Sequence, residues 1–141
     1  MDIFQGHVGQ RILERLQSEQ IIWFTTVTAS GKPQPRPVWF IWDGASIIIY
    51  TEQYSWKVAH IEANPHVSLN FNSDEYGSDI HVLLGEACID NSAPLVKDNL
   101  PYISKYMVGI SAINMDIESF SKRFDTALRV QVNRTRGLDP L

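Results

Sequence analysis

The chain is poor in the features that most directly announce a function. Its single cysteine, Cys88, leaves no internal disulfide and no cysteine cluster for zinc or iron, and it is expected to be a free, packed thiol. Its longest apolar run, Val38-Trp39-Phe40-Ile41-Trp42, falls far short of the ~20 residues a membrane helix requires. Positive charge is not in excess: 12 Lys and Arg stand against 16 Asp and Glu, a net charge of -4, which argues against nucleic acid or anionic lipid as a partner. Any anion site must therefore be local. No Gly-x-Gly-x-x-Gly follows a strand and no Gly-x-Ser-x-Gly occurs, which removes the usual dinucleotide and serine-hydrolase arguments. The four histidines, 7, 60, 66 and 81, form no metal-binding spacing, so no metal site and no catalytic side-chain cluster is expected. His60 reads as a helix-surface residue, and His66 and His81 as half-buried strand residues. Residues 1–5 lack a basic region followed by an apolar stretch, so the expected compartment is the cytoplasm.

What is present suits one domain of 141 residues without repeats or low-complexity segments. Val8, Ile12, Leu13 and Leu16 recur at helical spacing and predict an amphipathic helix over 7–18. Residues 21–29 predict a strand, Ser30-Gly31-Lys32-Pro33 a turn, and residues 34–42 a second strand whose prolines 35 and 37 place its start at an edge. Asp43-Gly44 predicts a tight hairpin into a third strand, 46–51. A short helix from Trp56 to Ala63 is stopped by Asn64-Pro65. Strands follow at 66–71 and 79–91, a helix from Ser92-Ala93-Pro94 to about Tyr106, another near 116–122, and a last strand at 125–133. Six strands in hairpin-like succession, with inserted helices, predict a mainly β, α+β chain built as a small antiparallel barrel.

Two segments carry candidate chemistry. Tyr50-Thr51-Glu52-Gln53-Tyr54-Ser55-Trp56-Lys57 leaves a strand and enters a helix. Free helix N–H groups, the Thr51 and Ser55 hydroxyls and the Lys57 ammonium together suit a phosphate dianion. The alternative is that Ser55 caps the helix and Lys57 faces water. Arg36-Pro37-Val38-Trp39-Phe40 is a proline-stiffened strand that reads either as core packing or as a ligand platform. If the Asp43-Gly44 hairpin sets it beside Tyr50-Thr51, Arg36 approaches the same anion.

In order and spacing, several segments resemble the flavin-binding split-barrel proteins related to pyridoxamine 5′-phosphate oxidase. They are Phe24-Thr25-Thr26-Val27, Gly31-Lys32-Pro33, Arg36 through Gly44, Tyr50-Thr51, Ser55-Trp56-Lys57, Ile61-x-x-Asn64-Pro65-x-Val67 and Gly85-Glu86-Ala87. The stretch from Gln34 to Gly44, with Lys105-Tyr106 and Arg134-Thr135-Arg136-Gly137, looks most like the branch that uses the deazaflavin coenzyme F420. The resemblance implies a six-stranded split barrel with flanking helices, a homodimer with FMN or coenzyme F420 at the subunit interface, and an oxidoreductase acting on a small molecule. It implies that Arg36, Pro37, Val38 and Trp39 lie along the ring and its side chain, and that Tyr50, Thr51, Ser55 and Lys57 hold the phosphate. Lys32, Arg134 and Arg136 are then the candidates for a basic groove around an oligoglutamate tail. Trp56 stands where the oxidases carry an arginine, and the oxidases' substrate-binding residues have no counterpart here, so pyridoxamine-phosphate oxidation itself is not implied. Flavin- or haem-binding storage and stress proteins share the fold and supply a non-catalytic alternative.

Overall fold

A computed structural model describes residues 2–140. In chain order the elements are α1 (Gly6–Ser18), β1 (Ile22–Val27), β2 (Pro33–Val38), β3 (Ile41–Trp42), β4 (Ile47–Thr51), α2 (Trp56–Ala63), β5 (His66–Asn70) and β6 (Ile80–Ile89). A 3₁₀ turn (Val96–Asp98), α3 (Leu100–Ala112), α4 (Ile117–Arg123) and β7 (Thr126–Leu138) complete it. All strand pairings are antiparallel, in the order β2-β1-β5-β6-β7-β4-β3. The two edge strands, β2 and β3, are separated in the chain only by Trp39 and Phe40. The sheet must therefore curl until its edges meet, which gives a mixed α+β half-barrel.

Among the described residues seven strand segments replace the six expected, because the strand foreseen over 34–42 is broken at Trp39-Phe40. The cause is a pair of side chains 65 residues or more away in the chain. Phe40 N–H donates to the Tyr106 hydroxyl at 2.9 Å, and the Phe40 carbonyl accepts from Lys105 Nζ at 2.9 Å. With its backbone groups taken, Phe40 leaves the ladder. Before the break the strand pairs with β1, Ile22 opposite Val38 and Phe24 opposite Arg36; after it, Ile41 pairs with Ile48 of β4.

Period-two alternation sets the barrel interior. Ile22, Phe24, Ile47, Ile49, Leu69, Leu83, Leu128 and Val130 point into one core, where α1 adds Ile12 and Leu16. β4 is buried along its whole length because its other face, Ile48 and Tyr50, belongs to a second core with Tyr102, Tyr106 and Ile110 of α3 and Phe120 of α4. Trp39 packs against this second core, stacked on Tyr106 at 4.7 Å between ring centroids, whereas Trp42 packs against the first.

Other expectations shift at their boundaries. Pro94 does not open a helix: α3 begins at Leu100, capped by Asn99, whose side chain accepts from Tyr102 N–H, with Pro101 in the first turn. The last strand runs on to Leu138, five residues beyond its expected end, because β6 pairs with that extension, Ile80 standing opposite Leu138. The Asp43-Gly44 hairpin is looser than two residues: Asp43 Oδ1 accepts from both Ala45 and Ser46 N–H, and Gly44 takes a φ of +94°. Cys88 is exposed rather than packed, since its neighbours Ala87 and Gly85 take the inward positions of β6. Among the described residues no helix is long and apolar enough to cross a membrane.

Candidate functional site

The inward row of β1 reads Ile22, Phe24, Thr26, continued just past the strand by Thr28, and its cross-strand row on β2 reads Val38, Arg36, Gln34. Both rows change from apolar to polar toward the same end of the barrel. There they border a cavity of about 540 Å³, closed by Thr51 at the end of β4, by Ser55, Trp56, Lys57 and His60 of the α2 region, and by Phe124. A smaller cavity of about 190 Å³, lined by Val38, Trp39, Ile49, Tyr50, Tyr102 and Phe120, adjoins it through the shared Thr51, Lys57 and Phe124. The two occupy the gap left between β2 and β4 once the strand break parts them. One is polar and cationic, the other aromatic and aliphatic.

Lys57 is half-buried in the wall common to both cavities. Desolvation is the main cause that lowers its pKa; the Arg36 charge lowers it further, and Glu52 acts the other way. Among the described residues the Arg36 side chain donates only to the adjacent Pro35 carbonyl, at 2.8 Å, and Glu52 is paired with Arg123 at 3.1 Å. Among the described residues neither Arg36 nor Lys57 has a carboxylate partner. Two like charges facing one cavity repel each other, and an anion between them removes that cost.

Hydroxyls and backbone complete the cradle. Ser55 occupies the N-cap position of α2, yet its side chain makes no capping hydrogen bond. Instead Thr51 Oγ1 donates to Ser55 Oγ at 3.0 Å, which leaves the Ser55 proton for another acceptor. The first-turn N–H groups of α2 are free of a side-chain cap, and the helix dipole adds partial positive charge.

Of the residues singled out in the sequence, Arg36, Thr51, Ser55 and Lys57 line the larger cavity, and Val38, Trp39, Tyr50, Thr51 and Lys57 the smaller. Pro37 lines neither. Tyr50 contributes its ring rather than its hydroxyl, which donates to the Pro94 carbonyl at 2.7 Å and accepts from Asn99 Nδ2 at 3.0 Å. Burial raises the Tyr50 pKa, so the phenol stays protonated. Arg36 reaches the cavity by a different route from the one expected: it pairs with Phe24 of β1, not with β4. Lys32, Arg134 and Arg136 line neither cavity.

His60, expected at the helix surface, lines the larger cavity with Nδ1 at 2.8 Å from Thr26 Oγ1. The available signal was its position three residues after Lys57 on a predicted helix. His66 is exposed, whereas His81 is fully buried against Arg15, far from half-exposed strand behaviour.

The pyridoxamine 5′-phosphate oxidase family pattern matches residues 8–136. The chain belongs to that family. General stress protein 26 of Bacillus subtilis (strain 168) is 33% identical over 98 residues, which span 68% of this chain and 69% of the relative. Solved structures share the fold at low identity. An F420 reductase superposes with a TM-score of 0.68 at 18% identity over 87% of this chain and 94% of its own. HutZ, the haem storage protein of Vibrio cholerae, gives 0.63 at 16% over 94% and 95%. One fold thus serves proteins of different names, and the residues of the cavity must carry the functional argument.

Proposed function

We propose that this protein binds a flavin-type cofactor, FMN or the deazaflavin coenzyme F420, and uses it as an oxidoreductase on a small conjugated molecule. The carrying observation is the cavity that Arg36 and Lys57 face without carboxylate partners. The residues fit such a group. The cationic cavity, with Ser55 and the start of α2, suits an ionised phosphate, and the adjoining space lined by Val38, Trp39 and Ile49 suits an apolar ring.

When bound, a cofactor of this type supplies hydride transfer. The chain's own residues have simpler tasks. Arg36 and Lys57 neutralise the phosphate, Thr51 orients Ser55 to donate to it, and the aromatic wall of Trp39, Phe120 and Phe124 excludes water from the ring's surroundings. The backbone of Val38 and Trp39, where β2 leaves the ladder, borders the same space, and N–H groups there would steady negative charge on a ring edge. The catalytic assignment names no side-chain acid or base.

A homodimer is part of the proposal. Leu100, Met107 and Val108 of α3 are each more than half exposed, an apolar surface suited to a second copy, and size-exclusion chromatography with light scattering tests it. A non-catalytic binding module is the second reading, favoured by the kinship with a general stress protein. Spectra of the purified protein separate the cases, followed by titration with FMN, F420 and haemin. Tight binding of FMN or F420, with turnover of a conjugated acceptor, supports the oxidoreductase; a Soret band alone supports the module; binding of none rejects both.

A further inference from the structure

Thr26 and His60 face the same cavity as Arg36 and Lys57, from β1 and α2. Thr26 is 2% exposed, and among the described residues its hydroxyl makes one hydrogen bond, to His60 Nδ1 at 2.8 Å. The Thr26 hydroxyl is assigned as the donor in this bond. His60 Nδ1 is then the acceptor, and the ring proton sits on Nε2, so the imidazole is held as a donor. His60 follows Lys57 by three residues and lies on the same face of α2, one turn further along.

We propose that His60, oriented by Thr26, is a third donor to the ligand's phosphate and makes the cavity selective for a phosphomonoester dianion over a phosphodiester. This rests on the cofactor reading above and narrows it. A phosphomonoester carries close to two negative charges near neutral pH and offers three terminal oxygens. Arg36 and Lys57 match the two charges, and Arg36, Lys57 and His60 supply one donor group for each oxygen. A diester carries one charge and two terminal oxygens, so it leaves one cation and one donor unmatched. The remaining charged group on the cavity, Glu52, is drawn away by Arg123.

The full-length chain is titrated with FMN, with riboflavin, which has the same ring and no phosphate, and with F420, whose phosphate is a diester. The proteins compared are the natural sequence, His60→Ala, His60→Gln and Thr26→Val, each checked for fold by circular dichroism and thermal melting. The natural protein is expected to bind FMN more than tenfold tighter than riboflavin. His60→Ala is expected to lose roughly tenfold on FMN and nothing on riboflavin, His60→Gln to keep part of the difference through its amide donor, and Thr26→Val to fall between. If His60→Ala misfolds, the Gln and Val variants decide by the same FMN-to-riboflavin ratio. An unchanged ratio in all folded variants overturns the role of His60 and leaves the cofactor reading intact. Preference for F420 over FMN overturns the selectivity alone, and failure to bind any of the three overturns both.

Discussion

The Lys105 ammonium holds Phe40 twice, donating to its carbonyl at 2.9 Å and lying 3.7 Å from the centroid of its ring. This contact fixes α3 against the strand break that opens the two cavities. Burial lowers the Lys105 pKa to about 8, with Glu19 acting in the opposite direction. An unfolded lysine keeps its proton to about 10.4, so between those values the unfolded chain binds more protons and stability rises with pH. Lys105→Met keeps the stem and loses the donor, and it is expected to cost about 1–3 kcal/mol at neutral pH. The gap between the natural protein and the variant should widen as pH rises from 8 to 10. Urea midpoints across that range check it, and a gap that narrows rejects the assignment.

Among the described residues the Lys57 side chain has no hydrogen-bond partner, and its pKa is lowered chiefly by desolvation, so the fold gains little from its charge. Lys57→Ala is therefore expected to leave the melting temperature unchanged or slightly raised, while phosphate-dependent binding weakens about tenfold or more. Parallel thermal melts and FMN titrations check both halves. Equal FMN affinity in the two proteins removes Lys57 from the site.

Much of this architecture is legible in local patterns. The alternation in β1 and the 3.6-residue repeat in α1 each reflect a single buried face, and that information lies within one segment. The break at Trp39-Phe40 is not legible, because its cause is Lys105 and Tyr106, far along the chain, and Val38 to Trp42 reads as unbroken strand. The start of α3 was misplaced because Pro94 and Pro101 both fit a first helical turn; the Asn99 cap decides between them. At the site, Arg36, Thr51, Ser55 and Lys57 announce themselves by charge and hydroxyl density. Thr26 and His60 do not, since a strand threonine and a helix histidine become a pair only when the barrel sets β1 beneath α2.

Gly85 appears in the sequence as part of a family motif, and the structure supplies its reason. The β6–β7 register shifts between Leu84 and Gly85, and a Cβ at Gly85 would stand 2.2 Å from the Gln131 carbonyl oxygen. Backbone, not a yielding side chain, blocks that space. Gly85→Ala is expected to destabilise the protein by about 3 kcal/mol or more. Chemical denaturation measures the loss, and a cost below about 1 kcal/mol would mean that the bulge relaxes freely.

His81 gives the protein an acid-sensitive point away from the cavities. It is 0% exposed, and Arg15 Nη1 lies 2.9 Å from its Nδ1. A guanidinium only donates, so Nδ1 must be unprotonated, and among the described residues Nε2 has no hydrogen-bond partner, Asp79 lying 3.8 Å away. Burial lowers the His81 pKa and the Arg15 charge adds to it, against a smaller opposing effect of Asp79. The unfolded histidine titrates near about 6.5, so below that value the unfolded chain takes up a proton that the folded chain refuses, and stability falls with pH. The cost concentrates where Arg15 also binds the Asn72 and Asp79 carbonyls, tying α1 to the loop before β6. His81→Gln keeps an acceptor for Arg15 without the titration. Urea midpoints between pH 7.5 and 5 are expected to drop more steeply for the natural protein than for this variant, and parallel slopes would place the acid sensitivity elsewhere.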